Sequence, residues 1–197
     1  GGIDKVIANS DNRVQKFSGY KQWDITQKLL FKQNEKITHQ LNFQLSNSGD
    51  VPRYDRLQDK RNFGGAIGTT LRFAEWYYGP QKRILGAYEL GVKNFGLIDE
   101  FRVNINYQNI EESRQQREYL RYDRFESRIE KLNVWGFNID ARKKWGIDEL
   151  SFGIDGQLND VKSSAARTNL TTGAVSELDS RYPDGSTWST MGIYGSY

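Results

Sequence analysis

Cysteine is absent from this chain, which excludes both a disulfide framework and a thiolate metal site. Proline is scarce, with 3 residues in 197, and histidine and methionine occur once each, as His39 and Met191. No apolar run approaches the roughly 18 residues of a membrane helix; the strongest short one is Leu29-Leu30-Phe31. The opening residues Gly1-Gly2-Ile3-Asp4 have neither the positive flank nor the apolar stretch of a signal peptide. With Met191 the single methionine, the chain is expected to be a processed or truncated piece of something longer. A one-signed charge excess is missing too. The formal net charge is +3, Lys and Arg alternate with Asp and Glu, and no nucleic-acid partner is expected. Nor does the chain contain a G-x-S-x-G, Walker or HExxH pattern, and it is not expected to be an enzyme.

What is present is glycine (19) and aromatic side chains (13%) alongside a low hydrophobic fraction of 37%, a mixture that helices rarely carry. The apolar residues alternate strictly. In 135–142, Trp135, Phe137, Ile139 and Ala141 interleave with Gly136, Asn138, Asp140 and Arg142. After a polar turn at 143–148, Leu150, Phe152, Ile154, Gly156 and Leu158 interleave with Ser151, Gly153, Asp155, Gln157 and Asn159. Side chains of a strand point alternately to opposite faces, so each segment has one apolar and one wet surface. The same pattern recurs from Tyr20 (Trp23, Ile25, Leu29, Phe31), over 37–45, in a third strand over 71–92 interrupted by Gly79-Pro80-Gln81-Lys82, over 101–107, and from Trp188 to the end.

Short turns fall at 33–36, 94–99 and 143–148, and long polar loops at 47–70, 111–128 and 163–187. If 71–92 is one strand, all the short turns lie at one end and all the long loops at the other. Short turns at one end, long loops at the other and strands of about ten residues with one apolar face predict an all-β fold: an antiparallel transmembrane β-barrel. About seven strands are expected. A barrel must close, because an open edge in hydrocarbon leaves backbone groups unpaired, so this is a partial barrel. Residues 1–197 are expected to form part of one barrel domain, its apolar face against outer-membrane lipid. A passive or structural barrel would show the same alternation, and so would a soluble β-sandwich binding module.

Four segments carry a resemblance to a known family. They are 41–46 running into Asp50-Val51-Pro52-Arg53-Tyr54-Asp55-Arg56-Leu57; 74–83, Ala-Glu-Trp-Tyr-Tyr-Gly-Pro-Gln-Lys-Arg; 107–114, Tyr-Gln-Asn-Ile-Glu-Glu-Ser-Arg; and 180–185, Ser-Arg-Tyr-Pro-Asp-Gly. In order and spacing, over about residues 20–197, they resemble the barrel of TonB-dependent outer-membrane receptors, in the haem, haemoglobin and siderophore branch. The resemblance implies a 22-stranded barrel with a plug in the bacterial outer membrane. It implies uptake of an iron complex, siderophore or haem, or of a similar scarce nutrient, driven by an inner-membrane energy-coupling protein that acts through the plug region. Residues 1–197 are expected to contain neither the plug domain nor its coupling box.

Within that expectation the candidate ligand-binding residues are Arg53, Tyr54 and Arg56 in the first long loop and Tyr119, Arg121 and Tyr122 in the second. Arg offers a planar fork for carboxylate or catecholate oxygens, and Tyr adds stacking area with a hydroxyl. Neighbouring acids such as Asp55 and Asp123 are an ordinary alternative destination for those Arg side chains. His39 lies near a short turn on the Ile37/Leu41 face, which points it towards lipid or the interface rather than a haem iron. No metal site, cofactor or catalytic residue is expected; Asp140, Asp155 and Asp160 read as lining of a wet interior.

Overall fold

A computed structural model of the chain describes residues 3–63 and 66–197. The elements are β1 (Gln22–Lys32), β2 (Ile37–Ser48), β3 (Val51–Pro52), α1 (Tyr54–Leu57), β4 (Lys60–Phe63), β5 (Ala66–Leu71) and β6 (Phe73–Tyr78). They are followed by β7 (Lys82–Phe95), β8 (Ile98–Glu118), β9 (Phe125–Trp145), β10 (Asp148–Thr168), β11 (Val175–Glu177) and β12 (Ser186–Ser196). Among the described residues the only helix is the single turn α1, and every strand pairing is antiparallel.

The wall runs β1-β2-β7-β8-β9-β10 and continues through β12, which pairs with β10: seven long strands, as the alternation predicts. Their register aligns like with like. One cross-strand row reads Leu29, Leu41, Tyr88, Ile105, Phe137, Gly156 and Met191. The neighbouring row on the opposite face reads Leu30, Gln40, Glu89, Asn104, Asn138, Asp155 and Gly192, polar or glycine on every strand but β1. Slipping any strand by one residue would exchange its two faces, so this pattern fixes the register. The apolar face covers nothing: Leu41, Phe43, Ile105, Trp135 and Leu158 are all exposed, and among the described residues no large side chain is fully buried.

The upper limit of that apolar face slants. Its last members are Trp23, Leu45, Ile84, Tyr107, Trp135, Leu158 and Met191 on the seven strands in wall order. Measured along the rows, this limit drops by three rows, from the row of Trp23 to that of Met191. Three rows are six residues, ~20 Å of strand, and the six inter-strand steps span ~29 Å, a slope of about 35°. A level boundary drawn across strands tilted by about 35–45°, as in membrane barrels, gives this slant. Aromatic contacts mark both limits: Tyr107–Trp135 at the upper, and Phe31–His39, His39–Tyr88 and Trp145–Tyr197 near the lower. His39 sits where expected, its Nδ1 2.7 Å from the Tyr88 hydroxyl and its Nε2 2.9 Å from Gln33 Oε1.

Residues 71–92 behave as one strand with a bulge. β6 and β7 both pair with β8, Tyr78 opposite Arg114 and Lys82 opposite Glu111, so three residues on one side face two on the other. Gly79 makes the bulge feasible. Its φ is +113°, and a Cβ there would lie 2.6 Å from the Gly49 carbonyl oxygen. Ser113, buried, fastens it: Gly79 N–H donates to the Ser113 carbonyl at 2.9 Å and the Ser113 hydroxyl donates to the Gly79 carbonyl at 2.6 Å.

The long loops are shorter than expected. The charged run at 111–128 is mostly strand, because β8 and β9 continue to Glu118 and from Phe125, leaving a tip of 119–124. Above the apolar limit both faces are wet, and charge can decorate either without cost. Glu111 reaches Lys131 at 3.2 Å, and Glu126 takes Gln116 at 2.9 Å, Arg128 at 3.0 Å and Arg167 at 2.7 Å. Likewise β10 extends to Thr168, which cuts the third loop to 169–185, with β11 inside it. The loop expected at 47–70 holds β3, α1 and the β4–β5 pair, and its residues 64 and 65 lie outside the described residues.

Candidate functional site

All six residues singled out by sequence lie at the long-loop end, in two groups. Arg53 precedes the single turn of α1, which follows β3; β3 pairs with β6, and Arg53 N–H donates to the Trp76 carbonyl at 3.1 Å. This places Arg53 and Arg56 over three aromatic rings of β6. The Arg53 guanidinium carbon is 5.5 Å from the ring centroids of both Trp76 and Tyr78, and that of Arg56 is 5.5 Å from Trp76 and 5.6 Å from Phe73. Phe73, Trp76 and Tyr78 face Glu118, Gln116 and Arg114 of β8, the parity of the wet interior. Phe73 and Trp76 are buried at 3% and 6% exposure, so this cation–π cluster is a packed shelf on the inner side of the rim. Tyr54 is exposed beside it.

Each of these cations has a local acid. Arg53 donates Nε and Nη2 to Asp55 at 2.8 and 2.6 Å, and Arg56 lies 2.9 Å from Asp59. The hydrogen bond from Arg53 holds the Asp55 carboxyl below its ordinary range. At the hairpin tip Arg121 donates to both oxygens of Asp123, at 3.0 and 2.9 Å, and holds that carboxyl well below the usual carboxylate range. Two donors used by each fork leave further N–H groups of a guanidinium available, which has five.

Tyr119 and Tyr122 have roles within the wall and its covering segment. The Tyr119 carbonyl accepts from Arg61 at 2.6 Å and its N–H donates to the Arg72 carbonyl at 2.9 Å, tying the hairpin tip to the shelf side. The Tyr119 hydroxyl donates to the Asp4 carbonyl at 3.3 Å, and the Tyr122 hydroxyl accepts from Asp4 N–H at 2.7 Å. Between them lies the centre that sequence reasoning missed. Arg117, 6% exposed in its side chain, donates to Asp4 through both Nη atoms at 2.8 Å and to Glu75 through Nε at 2.8 Å, under the Tyr122 ring. Asp4 Oδ2 also accepts from Leu120 N–H at 2.7 Å. Nothing local in the sequence marks Asp4, which acts across 113 positions. Arg117 was one among many charges.

No group of three or more His, Cys, Asp or Glu side chains that could hold a metal ion occurs among the described residues. Among the described residues no helix is long and apolar enough to cross a membrane, which has no bearing on crossing by strands.

No protein-family model and no curated protein matches the chain. Among solved structures it is similar to a chain described as the copper transporter OprC, with a TM-score of 0.64 at 11% identity. The match covers 89% of this chain and 25% of that one, so the chain spans about a quarter of the length of the structure it resembles. At that identity the likeness speaks for the fold. Together with the slanted apolar belt, it defines the fold class: this is part of the wall of an antiparallel transmembrane β-barrel.

Proposed function

We propose that the chain is a wall segment of an outer-membrane receptor that takes up a scarce nutrient as an organic chelate, with energy relayed from the inner membrane through a plug. The long-loop end is its extracellular mouth and the short turns are periplasmic. The observation that carries the reading is the shelf inside the rim, Arg53 and Arg56 stacked on Phe73, Trp76 and Tyr78. A passive barrel has no need of such a platform, whereas capture of a flat or anionic ligand uses stacking area and oriented cationic donors together.

An iron complex, siderophore or haem, suits that platform. The solved neighbour is described as a copper transporter, but this segment offers little to a bare soft cation. It has no cysteine, its one histidine is engaged near the short turns, and its one methionine lies on the apolar face. Softer thiolate and thioether donors are what select copper in its reduced state.

The test is equilibrium binding of ferric siderophores, haem and copper ions to the intact receptor, with Arg53, Arg56 and Arg121 changed to Ala together. The reading expects affinity for one chelate to fall roughly tenfold or more per used contact, since a hydrogen bond to a charged group contributes about 1.5–3 kcal/mol. Unchanged affinity for every ligand in the panel would reduce these residues to loop structure.

A further inference from the structure

We infer that the outward face immediately above the apolar belt, at the long-loop end, is a docking band for the phosphate groups of anionic lipid in that leaflet. The inference rests on three lysines in one cross-strand row. Lys82, Glu111, Lys131 and Lys162 are successive partners across β7, β8, β9 and β10. They share the parity of Ile84, Tyr107, Trp135 and Leu158, so they face the same side as the apolar belt.

Charge in this row is not internally balanced. Glu111 lies 3.7 Å from Lys82 and 3.2 Å from Lys131, so a single carboxylate is shared by two ammonium groups. Lys131 and Lys162 stand directly opposite one another across β9 and β10, an arrangement of like charges that costs stability in an isolated sheet. Among the described residues Lys162 forms no ion pair. The acid nearest to this row on the same face, Asp160, accepts from Asn133 at 3.4 Å and sits one row closer to the belt. Lys82 and Lys131 keep half of their side-chain surface exposed, at 51% each. An external anion bridging Lys131 and Lys162 would remove the repulsion that the row leaves standing.

Depth supports the same occupant. On β7, Lys82 is the next outward-facing residue beyond Ile84, the last of the belt there; on β9 and β10 a single polar row, Asn133 and Asp160, separates Lys131 and Lys162 from Trp135 and Leu158. Beneath it the Tyr107–Trp135 contact has the placement of an interfacial aromatic girdle. Lysines two rows beyond a girdle extend their long side chains into the headgroup layer, where each basic side chain adds about 1 kcal/mol of attraction to an anionic surface. The opposite limit of the belt lacks this excess: Lys143 there is matched by Asp99 at 3.2 Å.

The experiment uses the intact barrel in uncharged detergent. Its thermal midpoint is followed as vesicles of phosphatidylglycerol or of phosphatidylcholine are added, for the native protein, for K82Q/K131Q/K162Q together, and for K143Q at the other limit. The expected result is a larger rise with phosphatidylglycerol for the native protein and K143Q. In the triple variant, apparent affinity for phosphatidylglycerol should fall roughly tenfold or more. That preference should also shrink in 1 M salt, where the screening length is about 3 Å. Equal response to the two lipids in the native protein, or an undiminished preference in the triple variant, would overturn the inference. No partition into either vesicle would overturn the lipid-facing reading of the whole apolar belt.

Discussion

Arg117 and Asp4 are joined by two hydrogen bonds of 2.8 Å, one from each Nη of the guanidinium to each carboxylate oxygen. The pair is almost buried, with side-chain exposures of 6% and 12%. Over 5–20, by contrast, every residue but Asp11 is exposed, and its hydrogen bonds are local. Asp4 is therefore the polar anchor that ties the first described residues to the hairpin of β8 and β9.

Replacing Asp4 by Ala should free that segment while leaving the wall intact. Losing a partner to a buried charged group costs about 1–3 kcal/mol locally, and Glu75 retains part of the Arg117 charge balance. Trypsin should then cut at Lys5, Arg13 and Lys16 at least several-fold faster, with no change in cleavage at Lys36 in the distant turn between β1 and β2. Acid should act in the same direction. The hydrogen bond from Arg117 lowers the Asp4 pKa, so the anchor is fully present above the ordinary carboxylate range and is lost as pH falls through the depressed value. Protection that is unaffected by D4A would assign the anchoring to something else.

On the two faces of β8 the same substitution should have opposite consequences. Ile105→Arg puts a cation into the apolar row and should cost about 2–4 kcal/mol if that row lies near the bilayer midplane. Asn104→Arg, one residue away, faces Glu89 and Asn138 on the wet side and should be nearly neutral. Unfolding in urea from lipid vesicles distinguishes the two.

The bulge between β6 and β7 should be intolerant of a side chain. Gly79→Ala combines a positive φ with a Cβ contact of 2.6 Å to backbone, and a cost of about 1–3 kcal/mol is expected. Gly173→Ala has a positive φ but open space around the new methyl, so it should cost less, about 1 kcal/mol. Comparable destabilisation by both would mean that the Gly49 contact yields easily.

Orientation can be read on whole cells, since residues 1–197 contribute no cysteine of their own. Single cysteines at Asp59 and Ser176 should react with an impermeant maleimide, and one at Asn34 should not. The reverse pattern would place the short turns outside.

Strand existence and facing were legible in the sequence because a period of two needs no tertiary information, and Trp135, Phe137, Ile139 and Ala141 display it plainly. The turns at Gly96 and Gly146, both with positive φ, were legible for a similar reason. The outer extensions of β8 and β9 were not. Above the belt neither face must be apolar, so residues such as Arg114, Gln116 and Glu126 carry no periodic signal, and the hydrogen-bonded ladder holds the strands without one. Candidate site residues were found by composition alone, as Arg and Tyr in loops. Their actual neighbours, Trp76 and Phe73 for Arg53 and Arg56, are fixed by the pairing of β3 with β6, which local pattern does not encode.

The central claim is that one face of this sheet meets lipid and the other meets water. Spin labels at single cysteines replacing Phe137, Asn138, Ile139 and Asp140 on β9, in the intact protein reconstituted in vesicles, test it most directly. Labels at 137 and 139 should be accessible to oxygen and shielded from an aqueous nickel chelate, and those at 138 and 140 should show the reverse. All four shielded from both relaxants, as in a packed soluble core, or four equal accessibilities, would contradict the account.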